Sequence, residues 1–114
     1  MSGHPLILIM PKIVLITGAS RGLGYALLQQ MLQADGMTIV AISRNWDKCA
    51  ALKDLQRMSS WNLDCPIHMY KALNGNQVFT VVGDFSDDSV HKTTVQILTD
   101  QLAGQLDTLI LNAA

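Results

Sequence analysis

Thr17-Gly18-Ala19-Ser20-Arg21-Gly22-Leu23-Gly24 is a glycine-rich segment that lies between an apolar run and an amphipathic one. The run before it, Lys12–Thr17 (KIVLIT), is rich in β-branched residues, which is typical of a strand buried on both faces of a parallel sheet. After the glycines, apolar residues recur at helical spacing up to Gln33, and Asp35-Gly36 supplies a stop. The segment therefore predicts a strand, a tight turn and a helix in succession.

Glycine suits this turn because it lacks a Cβ atom, so Gly18, Gly22 and Gly24 allow tight backbone angles and close approach to a ligand. The following helix directs unpaired N–H groups and the positive end of its dipole toward the same place, which favours an anion. A glycine cluster alone is weak evidence, and glycines that serve chain geometry alone are the alternative. The flanking strand and helix favour a turn that holds the pyrophosphate of a dinucleotide.

The rest of the chain continues the alternation of strands and helices. The predicted elements are a strand over Met37–Ile42, a helix from Asn45 to about Met58, a strand over Gln77–Val82, a helix capped by Ser86 whose buried face includes Val90, Val95, Ile97, Leu98 and Leu102, and a strand over Asp107–Asn112. Residues 59–76 show no clean period, so they form an insertion loop or a loop with a short extra turn. This alternation predicts an α/β fold with a three-layer, doubly wound parallel sheet of four strands.

The spacing T-G-x-x-x-G-x-G resembles the cofactor motif of the short-chain dehydrogenase/reductase family. It differs from the G-x-G-x-x-G of other Rossmann dehydrogenases and from the T-G-x-x-G-x-x-G of the family's extended, sugar-nucleotide members. Two later segments add to the resemblance. Gly83-Asp84-Phe85-Ser86 follows the third strand, and Asp107–Ala114 is similar to the family's fourth-strand pattern D-x-L-x-N-N-A-G, with Leu111 and Ala114 in place of its first asparagine and its glycine.

The resemblance covers Lys12–Ala114 and implies a Rossmann-like dinucleotide-binding domain over residues 12–114, after an extension over residues 1–11. It implies the first four of the family's seven strands in the order 3-2-1-4, so the chain is interpreted as truncated: a shortened product, a fragment or a stand-alone module. It also implies that Asp84 contacts the adenine amino group, with a helix cap as the alternative, and that Asn112 joins neighbouring strands. The predicted cofactor-binding residues come from the glycine-rich turn, the end of the second strand and the two later segments. They are Gly18, Ser20, Arg21, Gly22, Leu23, Gly24, Ser43, Arg44, Asp84, Asn112 and Ala113.

The end of the second strand indicates which dinucleotide binds. Units that bind NAD(H) usually carry an acidic residue there, whose carboxylate accepts a hydrogen bond from the ribose 2′-OH. Here the position is Ser43, followed by Arg44, and a hydroxyl and a guanidinium accommodate a 2′-phosphate that a carboxylate would repel. Arg21 adds a second positive charge, so the sequence favours NADP(H) over NAD(H). The alternative for Arg44 is a solvated loop side chain paired with Asp47.

The catalytic groups of the family are not found in this sequence. The family reduces carbonyls with a tyrosine, a lysine four residues later and a serine. Tyr25 is followed at that spacing by Gln29 and Tyr70 by Asn74, so no catalytic residue is assigned. Two functions stay open: the cofactor-binding portion of an oxidoreductase that interconverts carbonyls and alcohols, and a non-catalytic dinucleotide-binding or protein-interaction module.

Composition excludes several other classes of protein. Eight basic and nine acidic residues give a net charge of −1 without a block of like charges, which offers no electrostatic attraction for nucleic acid or anionic lipid. No apolar run is long enough to span a membrane, and Cys49 and Cys65 are interpreted as reduced thiols of a cytoplasmic protein. Asp64, Cys65 and His68 lack a recognised metal-ligand spacing. A strand left unpaired at Leu109–Leu111 predicts self-association.

Overall fold

The computed structural model of the chain describes residues 12–46, 49–53, 55–61 and 65–112. The elements in chain order are β1 (Lys12–Thr17), α1 (Gly22–Met31), β2 (Met37–Ser43), a 3-10 helix (Ala50–Leu52), β3 (Gln56–Trp61), β4 (Ile67–Lys71), β5 (Gln77–Val82), α2 (Asp88–Leu102) and β6 (Thr108–Ile110). The strands form one mixed sheet in the order β3-β4-β5-β2-β1-β6. Neither helix of the described residues is long and apolar enough to cross a bilayer.

The sheet combines a parallel part with an antiparallel edge. Strands β5, β2, β1 and β6 lie side by side and parallel, and they are the four strands that the sequence predicts. The prediction of four strands in a wholly parallel sheet is nevertheless wrong, because β4 pairs antiparallel with β5 and β3 pairs antiparallel with β4. The described residues therefore form a Rossmann-like α/β sheet of six strands.

The prediction of a helix from Asn45 to about Met58 is also wrong. The segment contains the three-residue 3-10 helix and then β3, and the backbone of β3 pairs with β4 from Gln56 opposite Lys71 to Trp61 opposite Ile67. All six side chains of β3 are exposed, so a helix here would gain little burial, whereas backbone pairing satisfies its polar groups. The predicted loop over residues 59–76 thus includes most of a β-hairpin.

Both faces of the sheet are covered, which gives three layers. One face packs against α1, whose Leu28 is fully buried in the same apolar cluster as Ile39 of β2. The other face packs against α2 through Val90 and Ile97. Val95, predicted on the buried face of α2, is exposed, because the buried stripe of the helix runs through Val90, Thr93, Thr94 and Ile97.

The turn between β4 and β5 is hydrogen-bonded to the connection between α1 and β2, next to the amino end of β2. Asn76 is 1% exposed, and its Nδ2 donates to the carbonyls of Leu32 (3.0 Å) and Ala34 (2.7 Å). Its Oδ1 accepts from the N–H of Met37 at 2.8 Å. The carbonyl of Asn74 accepts from the N–H of Gly36, so this turn and the connection from α1 to β2 form one hydrogen-bonded unit.

Candidate functional site

A cleft of about 920 Å³ opens at the carboxyl ends of β1, β2 and β5. Ligands of open α/β sheets bind at this end of the strands, where loops rather than helices close the surface. The residues that line it are Thr17, Gly18, Ser20, Arg21, Ile42, Ser43, Arg44, Asn45, Cys49, Gly83, Asp84, Phe85, Leu111 and Asn112.

The glycine-rich turn forms one wall of the cleft. Gly18 and Gly22 have φ angles of 65° and 61°, a region that is strained for other residues. The N–H of Gly18 donates to the carbonyl of Ile42 at 2.9 Å, which ties the turn to β2. A Cβ atom on Gly24 would lie 2.1 Å from the carbonyl oxygen of Gly18, so the first turn of α1 packs on the loop at a distance that only glycine permits.

The start of α1 is suited to an anion. Arg21, at the N-cap, is extended (φ −157°, ψ 167°), makes no side-chain capping bond, and no acidic residue follows in the first turn. The first N–H groups of a helix have no partner within the helix, and here no side chain at the cap takes their place. A Cβ atom on Gly22 would meet no atom within 4 Å, so space is open beside the turn. These features fit a pyrophosphate group.

Asn112 holds the turn against β6. Its backbone N–H donates to Thr17 Oγ1 at 3.0 Å, and the Thr17 hydroxyl lies 3.2 Å from the Asn112 carbonyl. Its side-chain Nδ2 donates to the carbonyl of Gly18 at 3.2 Å. These contacts fix the orientation of the peptide groups that form the floor of the turn.

The hydroxyls of Ser20 and Ser43 join the glycine-rich turn to the end of β2. Their oxygen atoms are 2.5 Å apart. Ser43 Oγ also accepts from the N–H of Asn45 at 3.4 Å, which shapes the chain around Arg44. Arg44 and Arg21 are exposed, and both residues line the same cavity as Ser20 and Ser43.

Asp84 supplies the carboxylate of the cleft. Its Oδ1 accepts from the N–H (3.0 Å) and the hydroxyl (2.9 Å) of Ser86. These bonds, and to a smaller extent the charge of Arg44, lower the pKa of Asp84 below its ordinary value. Asp84 is therefore ionised at neutral pH. The N-cap of α2 is Asp87, so the prediction that Ser86 caps this helix is wrong. Ser86 instead orients the Asp84 carboxylate within the loop.

The structure brings together most of the predicted site residues. Seven of them line the cleft: Gly18, Ser20, Arg21, Ser43, Arg44, Asp84 and Asn112. Gly22, Leu23 and Gly24 do not line it, and the Leu23 side chain is 67% exposed. Ala113 and Asp47 lie outside the described residues.

Cys49 and Phe85 line the cleft although the sequence does not predict them as cofactor-binding residues. Phe85 follows Asp84 directly, and that position is a signal that could have identified it. Cys49 reaches the cleft because residues 45, 46 and 49 do not form the predicted helix. Burial raises the pKa of the Cys49 thiol, so the group is uncharged at neutral pH.

The two tyrosines lie away from the cleft. Tyr25 Oη accepts from Gln29 Nε2 at 3.0 Å on α1, and Tyr70 is part of β4. Neither lines the cavity. The described residues also contain no group of three metal-ligand side chains, and Asp64 of the Asp64, Cys65 and His68 cluster lies outside them.

Comparison with known proteins agrees with this geometry. The sequence profile of the family described as short chain dehydrogenase matches residues 12–114. The chain is 30% identical over 105 residues to the Saccharomyces cerevisiae protein named "Uncharacterized oxidoreductase YIR035C", and 33% identical over 104 residues to the Penicillium aethiopicum protein named "Short chain dehydrogenase gsfK". Each match covers 91% of this chain but only 34% and 36% of the respective relative.

The chain thus spans about a third of the length of these curated relatives. No solved structure matches it significantly. The profile match includes the glycine-rich turn, the end of β2 and the loop after β5, which are the parts of the chain that form the cleft. This chain belongs to the short-chain dehydrogenase family.

Proposed function

We propose that this chain is the NADP(H)-binding portion of a short-chain oxidoreductase that interconverts carbonyls and alcohols. Membership of the family implies a nicotinamide dinucleotide as cofactor. The observation that carries the choice of NADP(H) is the end of β2, where Ser43 and Arg44 enter the cleft in place of a carboxylate.

The charge distribution of the cleft supports a 2′-phosphate. Arg21 and Arg44 line the cavity together with the paired hydroxyls of Ser20 and Ser43. Guanidinium groups bind phosphate through paired, charge-assisted hydrogen bonds. One of the two hydroxyls donates within the serine pair, which leaves the other as a neutral donor. In an NAD(H) site the corresponding carboxylate accepts from the 2′-OH and repels a 2′-phosphate.

The remaining parts of the cleft receive the rest of the cofactor under this proposal. The amide groups at the start of α1 hold the pyrophosphate, and Asp84 accepts from the adenine amino group through the oxygen that Ser86 does not occupy. When bound, the dinucleotide supplies the hydride to a carbonyl carbon. The groups of this chain bind and orient the cofactor. The carbonyl compound is the proposed substrate of the whole protein.

Arg44→Asp tests the proposal by titration calorimetry with NADPH and NADH. We expect the unaltered chain to bind NADPH more tightly than NADH, and the variant to lose about tenfold or more in NADPH affinity, because a charge-assisted contact is replaced by repulsion. The affinity for NADH should change much less.

Arg57→Asp is the matched control, since Arg57 is an exposed arginine on β3 outside the cleft. It should leave both affinities unaltered. An unchanged NADPH affinity in Arg44→Asp, or equal affinities of the unaltered chain for the two cofactors, would contradict the choice of NADP(H).

A further inference from the structure

The β3–β4 hairpin lies outside the cofactor cleft and carries a group of polar side chains that the proposed function does not use. Ser60 on β3 lies directly opposite His68 on β4, and Ser60 Oγ is 2.6 Å from His68 Nδ1. Arg57 is opposite Tyr70, two positions along β4 from His68. Because alternate residues of a strand share a face, His68 and Tyr70 lie on the same side of the sheet.

His68 contacts its neighbours through both its ring and its backbone carbonyl. Its ring contacts that of Tyr70 edge to face, with centroids 6.5 Å apart and planes at 61°. The Thr80 hydroxyl of the neighbouring β5 donates to the His68 carbonyl at 3.4 Å. Partial burial and the nearby charge of Arg57 lower the pKa of His68. At neutral pH the ring is therefore mainly uncharged.

Ser60 is also distinguished by its sequence context. It is the only serine or threonine of the 114 residues that has an arginine or lysine three positions before it, namely Arg57. Among the described residues its strand, β3, is the outermost strand of the sheet on this side, and every residue of β3 is exposed. An enzyme that binds its substrate in an extended conformation can reach this segment without unfolding the domain.

We propose that Ser60 is a phosphorylation site for a protein kinase that requires an arginine three residues before the acceptor, and that Arg57 and His68 then bind the phosphate. In the transfer step a bond forms between Ser60 Oγ and the γ-phosphorus of MgATP, the bond from that phosphorus to the bridging oxygen of ADP breaks, and the hydroxyl proton passes to the catalytic base of the kinase. The products are phosphoserine and MgADP.

The modification changes the electrostatics of the hairpin. A phosphate brings a charge between about −1.5 and −2 and three acceptor oxygens at neutral pH, directly opposite His68. An opposite charge at hydrogen-bond distance favours the protonated imidazole, so the pKa of His68 should move upward instead of lying below its ordinary value. Two cations, Arg57 and protonated His68, then neutralise the phosphate and connect β3 to β4.

The experiment treats the whole chain with MgATP and a purified kinase of this specificity, and identifies the modified residue by peptide mass spectrometry. We expect one phosphate at Ser60, none in Ser60→Ala, and incorporation slower by about tenfold or more in Arg57→Ala, in which the recognition charge is lost. Ser59→Ala is the matched control, because Ser59 adjoins Ser60 but lies opposite Met69, and it should be modified as fast as the unaltered chain.

A titration of His68 followed by NMR tests the binding of the phosphate separately. Phosphorylation should raise the pKa of His68 by about one unit or more, and Arg57→Ala should not abolish that rise. Modification at another hydroxyl, no modification of the folded chain, or a pKa of His68 that is the same before and after modification would each overturn the proposal.

Discussion

Asn76 has one of the largest fully buried side chains of the described residues, and it is polar. Its amide joins three backbone groups of another segment, those of Leu32, Ala34 and Met37. Asn76→Ala would remove the partner of the buried N–H of Met37 and of the Leu32 carbonyl, whereas the Ala34 carbonyl keeps the hydrogen bond from Asn74 Nδ2 at 3.2 Å. We expect the free energy of unfolding to fall by about 1–3 kcal/mol, measured by urea denaturation.

Asn76→Asp separates the contributions of the two ends of this amide. The carboxylate retains an acceptor for the N–H of Met37 but offers no donor to Leu32 and Ala34, and it adds a buried charge. The variant should be at least as unstable as Asn76→Ala at neutral pH and should gain stability as the pH falls and the carboxyl is protonated. Equal stability of both variants and the unaltered chain would show that the hydrogen bonds of Asn76 contribute nothing.

The joint between the glycine-rich turn and α1 depends on two glycines for different reasons. At Gly24 an added methyl group would lie 2.1 Å from the carbonyl oxygen of Gly18 and 2.7 Å from the Nδ2 of Asn112. Backbone cannot move aside as a flexible side chain does, so Gly24→Ala should destabilise the chain by about 3 kcal/mol or more and weaken NADPH binding. Thermal unfolding and cofactor titration measure the two effects.

Gly22→Ala is the matched comparison, because its Cβ atom would meet nothing within 4 Å and only the φ angle of 61° opposes it. The expected loss of stability is about 1–2 kcal/mol, the cost of a left-handed conformation for an alanine. If Gly22→Ala were the more damaging variant, backbone angle and not close packing would be the dominant constraint at this joint.

The elements that carry strong patterns could be predicted from the sequence. The Gln77–Val82 strand has the predicted bounds, and β1 and the start of α1 follow from an apolar run ended by glycines. The hairpin was missed for a physical reason, because β3 has no apolar face that a sequence pattern could show. Its extended conformation depends on backbone hydrogen bonds to β4, and the sequence of β3 alone does not reveal such pairing. A local signal did exist in the alternation of Ile67 and Met69 with polar residues, followed by an Asn-Gly turn.

Within the candidate site, too, the residues next to regular elements could be predicted and those on irregular backbone could not. Ser20, Arg21 and Ser43 reach the cleft because each adjoins a strand end or turn that the pattern fixes. Cys49 could not be placed in the cleft from the sequence, because its position depends on the irregular path of the chain after β2. Motif spacing thus identified cleft residues next to regular elements but missed Cys49, which lies on irregular backbone.

The whole molecule has two unlike sheet edges, and β6 is the apolar one. Among the described residues β6 pairs with β1 alone, while Leu109 and Leu111 are 51% and 65% exposed. Open backbone groups beside apolar side chains favour pairing with another chain. We therefore expect the chain in isolation to self-associate, and the double variant Leu109→Lys, Leu111→Lys to shift the weight-average mass from light scattering toward the monomer.

Leu73→Lys is the control for the general effect of added positive charge. Leu73 is fully exposed in the turn between β4 and β5, away from β6 along the sheet. This variant should associate as strongly as the unaltered chain. A monodisperse monomer of the unaltered chain at high concentration would contradict self-association through β6.

The hairpin on the opposite side of the sheet has a consequence for the colloidal behaviour of the protein. Strand β5 (QVFTVV) is uncharged and rich in β-branched residues, the type of segment that stacks into cross-β fibrils when it is open. With β4 and β3 outside it, β5 is an interior strand. The outer strand on this side is β3, which carries an arginine, two serines and a register irregularity between Arg57 and Ser59. These features disfavour the addition of a further strand from another chain. We therefore expect the hairpin to protect this side of the molecule against fibril formation.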